Sequence, residues 1–227
     1  MTIFIIIGAI ITALVILPRG TSCRAQEQTE MAGMINLPEP SLKGEISIEE
    51  TLASRRSIRS YSDRALTMDE ISQILWSAQG ITADWGARTA PSAGGLFPMR
   101  IYLVAGKAEN LNPGVYLYDP HNNALKPVRD GDYRGQLMSA SLNQGCVGSA
   151  PISIIITAIP SITEARYGNR SMRYIDNEAG SISQNVYLQC EALGLGTVVI
   201  GAFNDDQVAE ICSPDVSPRL IMPIGAR

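Results

Sequence analysis

The stretch PISIIITAI, Pro151 to Ile159, is a continuous apolar run. It reads as a central strand buried on both faces, which requires cover above and below the sheet. Working outward, Met99–Ala105 is a second strand, Val115–Tyr118 a third, and Ala124–Val128 pairs with the third across the turn DPHNN. A helix is expected over Tyr133–Leu142, and a longer one over Arg173–Leu193. In the longer one Ile175, Ala179, Ile182, Val186, Cys190 and Leu193 make an apolar stripe, with Gly194 as terminator. TVVIGAF and RLIMPIG read as further strands, with a short helix between them capped by Asn204 and boxed by Gln207. Upstream, SIEE from Ser47 and TMDE from Thr67 are capping boxes. Leu66 and Ile71 are placed for a hydrophobic staple on the second, whose helix buries Ile71, Ile74, Leu75 and Ala78. Helices and strands alternate without strict βαβ order, so the fold class is α+β.

Composition narrows the function. The chain has 227 residues, 45% hydrophobic and 18% charged, with a net charge of −4. These values suit a folded globular protein and give no basic face for nucleic acid. Cys23, Cys146, Cys190 and Cys212 are widely spaced, and His121 stands alone in a turn. That argues against a disulfide framework, a metal site or a Ser-His triad. Ile3–Leu17 is an apolar run closed by Pro18, with Arg19 and Arg24 after it and no basic residue before it. Residues 1–25 are therefore expected to be a signal peptide or membrane anchor, which makes the protein exported or membrane-associated. Residues 26–45 read as a linker, and 46–227 as one domain.

Three stretches carry chemistry. RRSIRSYSDR, from Arg55, crowds Arg55, Arg56 and Arg59 around Ser57, a composition suited either to phosphate or to a solvated helix end. TAPSAGGLFPMRIYLV, from Thr89, sets Gly94 and Gly95 in front of a strand, where main chain can approach a flat ligand or simply turn into the strand. GLGTVVIGAF, from Gly194 at the end of the long helix, lacks the glycine pattern of a dinucleotide fingerprint but brings Gly201 to a strand end.

Together RRSIR, PSAGGLFP, GVYLYDP, NEAGSISQNVYLQCEALGLG and VIGAF, in this order, resemble the FMN-dependent nitroreductase superfamily, and within it the SagB-type dehydrogenases that include thiazoline/oxazoline oxidases. The resemblance spans about Ile46 to Gly225. It implies a mixed, largely antiparallel sheet flanked by helices, and a homodimer with FMN at the interface. It implies that Arg55, Ser57 and Arg59 meet the FMN phosphate and ring edge, with Arg56 an adjacent candidate. Ser92, Ala93, Gly94 and Gly95 would be laid along the cofactor by the partner subunit, although many simple nitroreductases carry an Asn where Gly95 stands. Val199, Gly201 and Ala202 would pack on the isoalloxazine, and Arg227 would add to the phosphate site. Asn185 and Glu178 are candidates for the pocket wall, or for a buried polar pair that bridges helices. Arg173, Tyr174 and Glu178 are candidates for an acid or base facing a small-molecule substrate. The implied activity is NAD(P)H-linked, ping-pong hydride transfer through FMN to a small electron-poor substrate. The alternatives are SagB-type oxidation of an azoline-like substrate, or a membrane-tethered flavin electron carrier.

Overall fold

The computed structural model describes residues 33–227, and the expectations for residues 1–25 lie outside them. Among the described residues no helix is long and apolar enough to cross a membrane. Seven strands form one sheet, in chain order β1 (Ile35–Asn36), β2 (Met99–Ala105), β3 (Gly114–Asp119), β4 (Ala124–Asp130), β5 (Ile152–Ala158), β6 (Leu195–Thr197) and β7 (Ser217–Ala226). The spatial order is β1-β4-β3-β2-β5-β7-β6. All six pairings between these strands are antiparallel, in keeping with the largely antiparallel sheet that the resemblance implies.

β5 lies between β2 and β7, and every one of its residues is buried. On one face Ile101, Leu103, Ile154, Ile156, Met222 and Ile224 pack in a cluster with α2 (Met68–Gln79) and α6 (Ser171–Ala192). On the other face Tyr102, Val104, Ile155 and Ile221 pack against α3 (Arg134–Ala140), α4 (Gly145–Ser149) and α7 (Asp205–Cys212). The double cover read from PISIIITAI is thus present. The expected stripe of α6 is buried at Ile175, Ala179, Ile182, Val186 and Cys190. α1 (Ile48–Ser54) and α2 both start on complete capping boxes, Ser47 with Glu50 and Thr67 with Glu70.

Two expectations are corrected, and one helix was not expected. The linker boundary at 45 is too late: Ile35 and Asn36 pair with β4, and Leu37 is buried in the core. Ser72 Oγ and Asn123 Nδ2 both donate to the Pro38 carbonyl, at 2.5 and 2.9 Å, so contacts distant in sequence order this stretch. TVVIGAF is not a continuous strand: β6 stops at Thr197, and only Ile200 returns to the sheet, by a single bridge to Ile221. The helix α5 (Pro160–Tyr167) was not foreseen; only Thr163 of it is buried, so it shows no apolar periodicity.

Beyond α1 the chain runs along the β6–β7 edge, with the Ile58 N–H donating to the Thr197 carbonyl at 2.9 Å and the Ser62 N–H to the Ala226 carbonyl at 2.8 Å. It can lie this close because two sheet positions have no side chain. A Cβ on Gly196 would stand 2.6 Å from Ile58 Cγ2, and one on Gly225 would stand 2.7 Å from Tyr61 Cβ and 2.8 Å from Pro151 Cδ. The Tyr61 hydroxyl then shares its one proton between the Ile58 and Pro223 carbonyls, at 3.0 and 3.2 Å. Gly225→Ala should therefore destabilise the protein by about 1–3 kcal/mol through overpacking. Gly135→Ala, where an added Cβ meets nothing within 4 Å, should cost nothing. Chemical denaturation of both variants checks this, and equal stabilities would contradict it.

Candidate functional site

Arg55 ends α1, its N–H donating to the Thr51 carbonyl at 2.9 Å. Its guanidinium carbon lies 5.0 Å from the centroid of the Tyr187 ring, a cation–π contact. The Tyr187 hydroxyl is 3.0 Å from Ser57 Oγ and accepts the Val199 N–H at 2.9 Å. Arg55, Ser57 and Val199, read separately from the sequence, are thus brought together around Tyr187. Sequence reasoning missed that residue. Its only signal was an aromatic hydroxyl flanking the α6 stripe, next to buried Val186.

A second group forms on α6 at Glu178, which is buried. Ser92 Oγ donates to Glu178 Oε2 at 2.5 Å and accepts the Phe97 N–H at 2.9 Å. Gln79 Nε2 donates to Glu178 Oε1 at 3.4 Å, and Arg88 donates to Gln79 Oε1 at 2.8 Å. Burial raises the Glu178 carboxyl above its ordinary range, while the Ser92 and Gln79 hydrogen bonds and the Arg88 charge pull it down. With its hydroxyl turned inward, Ser92 holds the loop in shape and leaves Gly94 and Gly95 exposed. Gly94 has φ +64°, a left-handed conformation, and a Cβ there would lie 2.6 Å from the Tyr167 hydroxyl. Arg166 donates to the Gly94 carbonyl at 3.3 Å, and Tyr167 meets Tyr174 edge-on with centroids 4.8 Å apart. Arg166 and Tyr167 were also missed, because α5 was. Tyr174 therefore borders the glycine loop through Tyr167, and Arg173 is exposed on the same first turn of α6.

Other expected residues have different occupations. Arg227 pairs with Glu191 and donates to the Leu195 carbonyl at 3.1 Å. Arg56 donates to the Ala53 and Arg55 carbonyls at 3.0 and 2.8 Å. The Arg227 hydrogen bond is the main cause that holds the Glu191 carboxyl below its ordinary range, and the Arg56 charge adds to it. Asn185 Nδ2 donates to the Ser77 and Thr89 carbonyls at 3.1 and 3.2 Å, bridging α2 to the loop before PSAGG. The Val199 N–H is taken by Tyr187. Among the described residues no partner is found for the N–H groups of Gly201 and Ala202, which are exposed.

These features fit FMN in kind. Arg55 and Arg59 have no acidic partner among the described residues, as a phosphate-binding pair requires. The Gly94–Gly95 turn offers backbone without side chains to a flat ring, and Gly201 and Ala202 offer exposed N–H donors. The two groups, however, stand on opposite flanks of α6. Glu178 and Tyr187 are nine residues apart on one helix. That is about 13 Å and two and a half turns, which directs them to opposite sides.

Comparison with known proteins identifies the family. The family model described as the Nitroreductase family matches residues 52–226. The protein named Putative nitroreductase MJ1384, from Methanocaldococcus jannaschii, is 40% identical over 183 residues, covering 81% of this chain and 92% of its own length. The microcin B17-processing protein McbC of Escherichia coli is 29% identical over 61% of this chain and 54% of its own length. Among solved structures, a Ralstonia eutropha JMP134 protein given the same nitroreductase description superposes with a TM-score of 0.75 at 32% identity, covering 93% of this chain and 94% of that one. The E. coli microcin synthetase McbBCD complex with truncated pro-MccB17 bound has a TM-score of 0.65 at 23% identity, covering 94% and 84%, and so shares the fold. The order of motifs, the doubly covered antiparallel sheet and the match over most of the sequence have one meaning: the chain belongs to the nitroreductase family.

Proposed function

We propose that the chain is an FMN-dependent oxidoreductase whose site is completed by a second copy of itself. The observation that carries this reading is that Arg55 and Arg59, flanking Ser57 in sequence, have no acidic partner among the described residues, while the glycine loop is held in shape but exposed. When bound, FMN supplies reversible hydride chemistry. Arg55, Ser57 and Arg59 would hold its phosphate and ring edge. Gly201 and Ala202 would direct N–H groups at the ring, in the way that fixed donors stabilise developing negative charge. Gly94 and Gly95 would close over it as bare backbone.

The partition by α6 supports the homodimer, because one chain's Gly94 and its own Ser57 lie on different sides of the helix. Leu42, Ile46, Ile48 and Leu52 are also exposed, at 83%, 44%, 60% and 52%. An apolar group of that kind marks an interaction surface. The reductant in this reading is NAD(P)H, and a small electron-poor acceptor takes its place after the nicotinamide leaves. A second reading is favoured by the likeness to McbC and to the trifolitoxin operon protein TfxC of Rhizobium leguminosarum. In it an azoline-like substrate gives the hydride instead. Glu178, bonded to Ser92, and Tyr174, which reaches the glycine loop through Tyr167, are then candidates for proton transfer.

Purified protein should be yellow, and anaerobic NADH or NADPH should bleach its flavin absorbance. A yellow protein that neither nucleotide bleaches favours the second reading. A colourless one that takes up no added FMN contradicts both. Arg55→Ala should weaken FMN binding about ten- to a hundred-fold, the loss typical of a charge-assisted hydrogen bond. Unchanged occupancy on titration would remove Arg55 from the site.

A further inference from the structure

We infer that Tyr187 is a positioning residue that orients the Ser57 hydroxyl as a donor to the phosphate of the flavin, an inference that rests on the FMN reading above. Proton positions at the Tyr187 oxygen decide which hydroxyl donates. A phenol has one proton to give and can accept hydrogen bonds. The Val199 N–H, at 2.9 Å, donates to the Tyr187 oxygen. Ser57 Oγ, at 3.0 Å, is the other polar atom in reach of that oxygen among the described residues. If Ser57 donated as well, the phenol proton would find no protein acceptor among the described residues. The satisfied arrangement has Tyr187 donating to Ser57, which frees the serine proton to point away from the protein.

Ser57 is exposed, and so are its neighbours Arg56 and Arg59. The result is an ordered row of donors: peptide N–H of Val199, hydroxyl of Tyr187, hydroxyl of Ser57, and then an anion. Each bond polarises the next in the same direction. The Arg55 guanidinium over the phenol ring, at 5.0 Å, holds that cation beside the same anion. One side chain thereby fixes both a hydroxyl donor and a cation, and ties them to the Val199 end of the segment that would meet the ring.

The row also divides the backbone donors of that segment. Val199 serves the phosphate end through Tyr187, which leaves Gly201 and Ala202 for the ring. No signal in the sequence marked this division, since the hydrogen bond from residue 199 to residue 187 joins a loop to the helix before it.

The test uses flavin-stripped full-length protein, titrated with FMN and with riboflavin, which lacks the phosphate. Tyr187→Phe keeps the ring and its contact with Arg55 but removes the hydroxyl. It should weaken FMN about tenfold and leave riboflavin within about twofold, the scale of one hydrogen bond to a charged group. Ser57→Ala should show the same selectivity. Adding Tyr187→Phe to Ser57→Ala should bring no further loss, because the two act in series. Equal weakening of both flavins by Tyr187→Phe would mean a merely structural role and overturn the inference, as would unchanged FMN affinity or full additivity in the double variant. Wild-type protein that binds neither flavin would overturn the FMN reading itself, and this inference with it.

Discussion

The burial of one stripe of α6 against the sheet is the constraint on which the rest depends. Ile175, Ala179, Ile182, Val186 and Cys190 lock the rotation of that helix, so its polar flanks cannot choose their partners. One flank gives Glu178 to the PSAGG loop, and the other gives Tyr187 to the arginine segment and to Val199. A rotation sufficient to move either group would expose the stripe. At roughly 25 cal/mol for each Å² of apolar surface, the stripe outweighs any of the single hydrogen bonds it positions. The site is therefore built from outside the core but registered by it.

A second constraint acts at the sheet edge. The arginine segment meets the site only because it lies flat on β6 and β7, where Gly196 and Gly225 leave room for Ile58 and Tyr61. Two absent side chains set the height of Arg55, Ser57 and Arg59 above the sheet. Backbone hydrogen bonds to Thr197 and Ala226 then fix their position along it.

Local patterns in the sequence made much of this legible. Capping boxes at Ser47 and Thr67, the strand Met99–Ala105 and the double-faced strand at Pro151–Ile159 depend on neighbouring residues, and each is found where expected. Features that depend on distant partners were not legible. β1 exists because Leu37 finds the core and Pro38 finds Ser72 and Asn123. α5 has almost no buried face to announce it. Within the site, the sequence placed Arg55 and Arg59 with Ser57, Arg56 beside them and Arg227 as an addition, without showing which were already engaged. The fold separates them, since Glu191 engages Arg227 and lies in the field of Arg56, whereas Arg55 is held against Tyr187. Residue type alone could not show which cations already had an anion.

The central claim is that the cofactor segments on the two flanks of α6 meet only across two subunits. Complementation tests it most directly: Arg55→Ala chains and chains with a bulky residue at Gly94 are co-expressed with different tags, and the doubly tagged dimer is isolated. Its FMN content is then compared with that of each parent. In the proposed assembly both changes fall in one site and leave the other intact, so the mixed dimer should bind one FMN per dimer with wild-type affinity. If each site drew both segments from a single chain, the mixed dimer would be as deficient as its parents, and that result would contradict the account.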